Sequence, residues 1–448
     1  MDDSTDSPDV IRPVEGKAGP DIDIFCRVID NFGDIGVCWR LARSLQKEWP
    51  AQVRLWVDNL ESFARLAPAV QPDRPEQQVD GIRIIHWTDN TGPHTPAELV
   101  IEAFACDPPA DYIDAMPGRT RLWLNLEYLS AESWTAGFHA QPSPQRNGVS
   151  KYFFFPGFSG ETGGLICEQG LTERRRSWIH SSVQKKQFLK KLGLSDAQTY
   201  LENDALFVSL FCYASAPYRS LLHALRKSRR PVVLMVPQTV IPQLEREATT
   251  VLHGAVSIVM HEPQAISASS APTAVNIAEK TSRASGESII GAAATSVQSK
   301  DGQVDRNAPL PGLTLLRIPF LPQDEYDQLL WLCDLNFVRG EDSFVRAIWA
   351  RKPFLWQIYE QSEDTHLKKL QAWLSLFPGQ EETKAMMRSW NSPSRHAYFT
   401  QQLTALLNTP GQMHNWRRSC RTFAENLSKN KTLSTSIQFF YEKTANSG

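Results

Sequence analysis

The sequence predicts an α/β protein built on two parallel sheets. Short apolar runs rich in β-branched residues alternate with longer segments of helical periodicity, which is typical of strands buried between helices. A polar helical segment at 180–203 interrupts the alternation, which then starts again and indicates a second sheet. With 448 residues, the chain is long enough for two or three domains that each bury a core.

The first series of elements opens with a predicted strand, DIFCRVI (23–29), and a predicted helix, VCWRLARSLQKEW (37–49). One face of that helix carries the apolar residues Val37, Leu41 and Leu45. Further strands are predicted at 53–58, 82–87, 98–104, 121–129 and 151–158, and a helix that stops at a proline is predicted at 60–68.

The second series repeats this alternation after the polar segment. Its predicted strands are 205–214, 231–237, 313–322, 333–340 and 352–359, and a helix is predicted at 218–228. The chain then ends in helical sequence with one apolar stripe, whose members recur at spacings of three and four: Met413, Trp416, Cys420, Phe423 and Leu427. Such a stripe must pack on one or both domains.

These patterns divide the chain into four parts. Residues 1–20 are polar and acidic, and we expect a disordered tail. One Rossmann-like domain is expected at 21–195, a second at 196–395, and helices that pack back on the domains at 396–448. Within the second domain, 262–309 is rich in Ala, Ser, Thr and Gly and has no aromatic residue, which predicts a flexible insertion.

Composition excludes several classes of protein. The net charge of -2, from 47 basic and 49 acidic residues, argues against a general nucleic-acid or membrane-surface protein. The N-terminus has no apolar core of a signal peptide, and no apolar run is long enough to span a membrane. The seven cysteines form no C-x-x-C pair, so we expect reduced thiols, a cytoplasmic protein and no metal site. Nothing in the sequence requires more than a monomer.

The loop DNFGDIG (30–36) is the first candidate site. Gly33 and Gly36 allow a tight turn and close approach to a ligand, and Asp34 precedes the predicted helix. An aspartate at a helix N-terminus often serves only as a cap, and Asp30 fits an ordinary turn, so both interpretations stay open. The loop lacks the G-x-G-x-x-G fingerprint of dinucleotide-binding proteins.

Two strand ends of the second domain carry groups that can hold a nucleotide base. Tyr213 lies at the expected tip of the first strand, where an aromatic ring can stack on a base. Phe320 and Gln323 bracket a proline turn and supply a ring and an amide, the minimum needed to read a pyrimidine. The alternative is a hydrophobic staple beside a helix start.

A fourth strand end, VRGEDSFVR (338–346), leads into a predicted helix. Helix N-termini bind phosphates, so a diphosphate there with Ser343 donating and Arg339 or Arg346 nearby is a reasonable hypothesis. The carboxylates of Glu341 and Asp342 suit sugar hydroxyls or a cationic second substrate better than a diphosphate. The alternative is a helix start with acidic residues in its first turn.

Together these strand ends describe a nucleotide site in the second domain that faces a carboxylate-bearing loop in the first. This arrangement predicts the GT-B architecture, with two Rossmann-like domains facing a cleft. It is supported by seven longer stretches, namely DIFCRVIDNFGDIGVCWRLARSL, NLEYLSAESW, HAQPSP, KYFFFPGF, PFLPQDEYDQLLW, CDLNFVRGEDSFVRAIWARKPFLWQIY and HLKKLQAWL. These stretches resemble the EarP family of bacterial protein-arginine rhamnosyltransferases, from about residue 20 to the C-terminus.

The resemblance implies an inverting, metal-independent GT-B enzyme without a cofactor. Its donor substrate would be dTDP-β-L-rhamnose, bound by the C-terminal domain. Its acceptor would be one arginine of translation elongation factor P, which would dock on the N-terminal domain and, once modified, relieve ribosome stalling at polyproline.

The resemblance also implies roles for individual residues. Asp34 matches the general base, Asp30 a second loop carboxylate needed for activity, and Glu341 an essential carboxylate. The residues that match donor contacts are Tyr213, Phe320, Gln323, Asp342 and Ser343.

Three other interpretations remain at this point. The same scaffold can serve a different sugar-nucleotide reaction, such as epimerisation or transfer to a small acceptor. A regulatory protein that binds a nucleotide sugar without transferase activity is the second interpretation. The third is a structural α/β scaffold in which every motif has its ordinary capping or packing role.

Overall fold

Two sheets of mainly parallel strands organise the chain. The computed structural model describes residues 19–30, 32–89, 91–238, 244, 246–247, 257–259, 310, 312–361 and 365–445. The expected insertion lies outside the described residues, and so does the expected tail apart from its last two residues.

The first sheet contains eight strands among the described residues. They are β1 (Asp21–Cys26), β2 (Gln52–Val57), β3 (Glu76–Val79), β4 (Ile82–His86), β5 (Leu99–Ala103), β6 (Leu122–Leu126), β7 (Pro142–Ser143) and β8 (Lys151–Phe154). Their order is β3-β4-β2-β1-β5-β6-β8-β7, with β3 and β7 pairing antiparallel at the two edges. Every residue of β5 and β6 is buried, because helices cover both faces of a parallel sheet.

The helices between these strands are α1 (Gly33–Glu48), α2 (Leu60–Leu66), α3 (Ala110–Asp114) and α4 (Trp134–Phe138). Three more helices lead to the second sheet: α5 (Leu171–His180), α6 (Ser182–Lys191) and α7 (Ala197–Glu202). The domain boundary at residue 195 stays a prediction, but α5 and α6 contribute Leu171, Trp178 and Phe188 to the core around the second sheet.

The second sheet is parallel throughout its described strands. These are β9 (Leu206–Leu210), β10 (Val232–Pro237), β11 (Ser257–Val259), β12 (Leu313–Ile318), β13 (Leu335–Arg339) and β14 (Phe354–Gln357). Their order is β11-β12-β10-β9-β13-β14. The helices that follow are α8 (Tyr218–Arg226), α9 (Gln323–Leu332), α10 (Asp342–Ala350), α11 (Thr365–Leu376), α12 (Glu381–Trp390), α13 (His396–Asn408), α14 (Gln412–Leu427) and α15 (Leu433–Ala445).

Both sheets reverse their order beside their first strand. Strand β1 lies between β2 and β5, and β9 lies between β10 and β13. Ligands of open α/β sheets bind beyond the carboxyl ends of the strands at such a reversal. The loops and helix starts that follow β1, β9 and β13 therefore mark the expected site, and they contain six of the eight candidate residues; Phe320 and Gln323 follow β12.

The predicted elements are present, but several boundaries differ. The strand predicted at 23–29 ends at Cys26, and the helix predicted at 37–49 begins at Gly33. The N–H of Gly36 donates to the Phe32 carbonyl at 3.0 Å, so the GDIG stretch forms the first helical turn rather than a loop. Glycine has low helix propensity, and the periodic apolar pattern starts only at the valine that follows. The edge strands β3, β7 and β11 were not predicted.

The C-terminal helices contact both sheets. Helix α14 buries Trp416, Cys420 and Phe423 of the predicted stripe in the core of the second sheet. Helix α15 returns to the first sheet, where Ile437 and Tyr441 join its core. All seven cysteines are free, and no described helix is long and apolar enough to cross a membrane.

The return of α15 to the first sheet predicts that the C-terminus stabilises the N-terminal half. Ile437 is fully buried, so Ile437→Ala should lower the free energy of unfolding by about 2–5 kcal/mol in urea titrations followed by tryptophan fluorescence. The matched control is Phe439→Ala on the exposed side of the same helix, with an expected loss below about 1 kcal/mol. Equal losses for the two variants would contradict the packing.

Candidate active site

A cleft with about 800 Å³ of empty volume opens where the two reversal points face each other. The first sheet contributes Asp30, Phe32, Gly33 and Leu66 to its wall. The second sheet contributes most of the apolar lining and several polar groups, among them Phe211, Met235, Ile318, Phe320, Gln323, Tyr326, Arg339, Glu341, Asp342 and Ser343. The cleft is mainly apolar with few polar groups, which is typical of small-molecule sites.

Asp34 lies in the first turn of α1 and holds the preceding loop in place. Its Oδ2 accepts hydrogen bonds from the backbone N–H groups of Ile29 and Asp30, each at 2.9 Å. Asp34 is only 4% exposed, and burial raises its pKa while those two hydrogen bonds oppose the rise. The capping role that the sequence left open is not observed, because the bonds run to the loop and not to the helix.

Asp30 reaches across the cleft to the second sheet. Its Oδ2 accepts a hydrogen bond from the hydroxyl of Tyr213 at 3.3 Å. Gly340 lies beside this contact with a φ of 59°, and a Cβ there would lie 3.4 Å from the Tyr213 hydroxyl and 3.6 Å from Asp30 Oδ2. Glycine therefore permits the left-handed turn, whereas a Cβ would make only ordinary van der Waals contacts with the two side chains.

Glu341 brings a third carboxylate to the same place from the second sheet. Its Oε1 accepts the backbone N–H of Leu129 at 3.0 Å, a contact between the two halves. Burial raises the pKa of Glu341 to about 8; the Leu129 hydrogen bond and the charge of Lys369 oppose the rise, and the charges of Asp34 and Asp30 add to it. The free site therefore holds Glu341 largely protonated at neutral pH, so it can share the region with the two aspartates.

Arg339 and Phe211 of the second sheet line the opposite wall, and Tyr213 lies beside them. The guanidinium carbon of Arg339 lies 4.6 Å from the ring centroids of both Phe211 and Tyr213. Tyr213 is held at its backbone, where its N–H donates to Gln357 Oε1 at 2.8 Å. Arg339 is therefore a preorganised cation at the cleft, suited to an anionic ligand group.

Phe320 and Gln323 lie where the sequence predicts a base-binding turn. The Phe320 ring contacts Phe32 of the first sheet, with centroids 4.7 Å apart. The Gln323 side chain donates from Nε2 to the Gly36 carbonyl at 2.9 Å, and the residue is 3% exposed. Its Oε1 has no hydrogen-bond partner among the described residues, which leaves an acceptor at the cleft for a ligand N–H.

Ser343 and Asp342 are engaged by protein groups. The Ser343 hydroxyl accepts the Arg339 N–H at 3.0 Å and donates to the Arg339 carbonyl, which closes the β13–α10 turn. Asp342 Oδ1 accepts a bond from Arg40 Nε at 2.7 Å. A phosphate bond from Ser343 would require its hydroxyl to rotate away from that carbonyl.

Arg346, the alternative cation for a diphosphate, does not line the cleft. Its guanidinium is 2% exposed and pairs with Glu168 and Asp327 at 2.5 and 2.6 Å. Of Arg339 and Arg346, only Arg339 is therefore placed to contact a diphosphate in the cleft. The described residues contain no group of His, Cys, Asp and Glu side chains that could hold a metal ion, and independence from metal stays a prediction.

Tyr128 and Arg40 lie beside carboxylates of the site, and the sequence did not indicate either of them. Tyr128 follows β6 and stacks on Phe104 with centroids 4.4 Å apart; burial and the charges of Asp34 and Glu341 raise its pKa well above the ordinary value. Arg40 lies in the predicted helix α1, where an arginine looks like an ordinary surface residue. The only available signal was position: Tyr128 follows a buried strand whose end meets the same sheet edge.

The whole described site lies in a segment that matches one known family. A model of the family described as elongation factor P (EF-P) rhamnosyltransferase EarP matches residues 22–442. This chain belongs to the EarP family. The family predicted from the sequence is thus confirmed, and the chain is an enzyme of the glycosyltransferase class.

Relatives of this EarP-family chain are similar along most of their length. A protein-arginine rhamnosyltransferase of Pseudomonas aeruginosa is 38% identical over 427 residues, which cover 94% of this chain and 98% of the relative. A protein of the same name from Neisseria meningitidis serogroup B is 36% identical over 352 residues, covering 78% and 76%.

A solved structure is similar in fold. It comes from work on EarP-mediated arginine glycosylation of translation elongation factor EF-P. It matches with a TM-score of 0.55 and 26% identity, and the match covers 95% of this chain and 99% of that one. The fold class is therefore GT-B, as the sequence predicts.

The raised pKa of Glu341 predicts a pH-dependent stability. An unfolded glutamate ionises near its ordinary pKa of about 4.5, so between about pH 4.5 and 8 the folded chain binds more protons and loses stability as pH rises. Glu341→Gln removes this loss. Relative to wild type, its free energy of unfolding should increase by more than about 1 kcal/mol between about pH 5 and pH 8.

Urea titrations at several pH values measure this difference. Glu61→Gln on the exposed face of α2 is the control for the chemical change alone. A difference between Glu341→Gln and wild type that stays constant across the range would contradict the raised pKa.

Proposed function

We propose that this chain transfers L-rhamnose from dTDP-β-L-rhamnose to an arginine side chain of EF-P, with inversion at the anomeric carbon. The observation that carries the proposal is that Asp30 and Glu341, from the two sheets, line one mainly apolar cleft, while the charge of the buried Asp34 behind them also acts on Glu341. The family description and the names of the relatives support rhamnose, arginine and EF-P.

The carboxylates suit an arginine acceptor. A guanidinium is protonated at neutral pH and its lone pairs are delocalised, so it is a poor nucleophile. Asp30 and Asp34 can grip it through paired hydrogen bonds, which localises its charge and orients one nitrogen. Because burial raises the pKa of Asp34, this carboxylate is also better suited to take the proton that leaves as the C–N bond forms.

Glu341 adds a charge that responds to the acceptor. It is largely protonated in the free site, and a guanidinium nearby would favour its ionised form. The positive charge brought by the acceptor would thus be matched by a newly formed carboxylate. The site avoids three unbalanced negative charges before the acceptor arrives.

The opposite wall suits a nucleoside diphosphate sugar. Phe320 offers a ring for stacking, and the unpartnered Gln323 Oε1 can accept an N–H such as that of thymine N3. Arg339 and the N-terminal end of α10 can stabilise the diphosphate as it leaves. The anomeric carbon then becomes oxocarbenium-like, and attack from the carboxylate side, opposite the leaving group, inverts its configuration.

The first prediction of this mechanism concerns Asp34. Asp34→Asn keeps an oxygen that can accept the loop N–H bonds but removes the base, so transfer should fall at least about a hundredfold. Binding of dTDP-rhamnose should change less than about threefold, since Asp34 faces the acceptor. Intact-mass measurement of EF-P and calorimetry of donor binding test the two parts.

Asp58→Asn is the matched control. Asp58 Oδ1 accepts the N–H of Val28 at 2.9 Å and so holds the same loop, but Asp58 follows β2 and has no role in the proposed chemistry. This variant should retain transfer within about tenfold of wild type, since loop support alone is affected. Transfer by Asp34→Asn at the rate of wild type would reject the assignment of the base.

The second prediction concerns the base platform. Phe320→Ala should weaken dTDP binding between about fivefold and a hundredfold, because stacking on a base is worth roughly 1–3 kcal/mol. Phe138→Ala, which removes a ring that is 55% exposed and does not line the cleft, should leave dTDP affinity unchanged. Unaltered calorimetric affinity in Phe320→Ala would count against stacking at this position.

A further inference from the structure

A buried network of arginines and carboxylates lies beside the cleft and is not used by the mechanism above. It consists of Arg40 from α1, Glu168 from the segment before α5, Asp327 from α9, and Asp342 and Arg346 from α10. The two guanidinium groups are 1% and 2% exposed. Such a site is costly to build, because both charges must leave water.

Arg40 uses its whole guanidinium in this network. Its Nε donates to Asp342 Oδ1 at 2.7 Å, and its Nη1 donates to Glu168 at 2.9 Å and Asp327 at 3.3 Å. Its Nη2 donates to Asp327 at 3.1 Å and, more weakly, to the carbonyl of Gln323 at 3.5 Å. All five N–H donors of an arginine therefore have partners, which a lysine could not reproduce.

Two of these partners are residues of the proposed donor site. Asp342 and Gln323 both line the cleft, and Arg40 contacts the side chain of one and the backbone of the other. Asp342 and Gln323 also pack against Gly36, which lies one turn before Arg40. A Cβ built on Gly36 would lie 3.4 Å from Asp342 Oδ2 and 3.4 Å from Gln323 Nε2. Helix α1 of the first sheet thus fixes donor-site groups of the second.

Arg346 provides an internal comparison. It is as buried as Arg40 and binds the same Glu168 and Asp327, but it makes no hydrogen bond to Asp342 in the described structure. It also lies on α10 itself, so it does not connect α10 to α1 as Arg40 does. The two arginines therefore share a structural role, and contact with the donor site distinguishes them.

We propose that Arg40 is a positioning residue for the sugar-nucleotide donor, which it orients by holding the carboxylate of Asp342 from the opposite domain. This inference rests on the proposed function, because it takes Asp342 as a donor contact. With Oδ1 held by Arg40, the side chain of Asp342 is fixed and its Oδ2 remains beside Gly36 at the cleft. Donor binding is thereby coupled to the correct placement of the helix that carries Asp34.

The test compares Arg40→Lys with Arg346→Lys in the full-length chain. Both substitutions keep the charge and lose the planar fork, so similar decreases in thermal midpoint are expected. Arg40→Lys should raise the KM for dTDP-rhamnose at least about tenfold with kcat changed less than about threefold, the pattern of lost ground-state binding. Arg346→Lys should change that KM less than about threefold.

A double-mutant cycle tests whether Arg40 acts through Asp342. Asp342→Asn alone should raise the donor KM, and adding Arg40→Lys should raise it little further, because the contact is already impaired. Calorimetry with dTDP and dTDP-rhamnose supplies affinities that do not depend on turnover. Arg43→Lys serves as the control on the same helix, since its pair with Asp324 also joins the two sheets but is exposed; its donor KM should match wild type.

Three outcomes would overturn the inference. These are an unchanged donor KM in Arg40→Lys, an equal increase in Arg346→Lys, and full additivity with Asp342→Asn. The proposed function would fail in one of two separate ways. Wild type would bind dTDP-rhamnose without modifying EF-P, or it would not bind dTDP-rhamnose. In the first of those cases the calorimetric comparison of the two lysine variants still decides the role of Arg40.

Discussion

The site depends on one constraint, the crowding of three carboxylates, one of them buried and two half-buried, at the point where the two sheets meet. Asp34 is almost fully buried, Asp30 is tied to Tyr213 across the cleft, and Glu341 is buried enough that its pKa rises to about 8. Burial and the nearby like charges raise the pKa of Glu341, so Glu341 keeps its proton near neutral pH. In the proposed function, a guanidinium that enters the site would offset the cost of ionising Glu341.

The fold supplies this constraint through its two reversal points. Loops that follow β1 and β13 leave their sheets at the carboxyl ends of central strands, where neighbouring strands diverge and leave space. The contacts of Glu341 with Leu129, Gln323 with Gly36 and Arg40 with Asp342 then join the halves. The acceptor and donor groups are therefore placed relative to each other by the same contacts that hold the domains together.

Much of the fold could be predicted from the sequence, because apolar periodicity reports burial and burial defines the strands and helices of an α/β protein. The first turn of α1 was missed because its glycines do not show helical periodicity. Strand ends also located Asp30, Asp34 and Glu341 near the cleft. The hydrogen-bond partners of these side chains could not be predicted. The neighbouring sequence does not indicate that Asp34 accepts the loop N–H groups, or that Arg40 binds an acid 302 residues away. Such pairs are set by tertiary packing alone.

Proton release on acceptor binding tests the central claim most directly. Calorimetry of EF-P binding near pH 7, in buffers with different ionisation enthalpies, measures the protons that leave the complex. Because the guanidinium should ionise Glu341, we expect release of close to one proton by wild type and almost none by Glu341→Gln. The account would be contradicted if wild type bound EF-P without releasing a proton, or if both proteins released the same number. Either result would show that Glu341 does not lose a proton when the arginine binds.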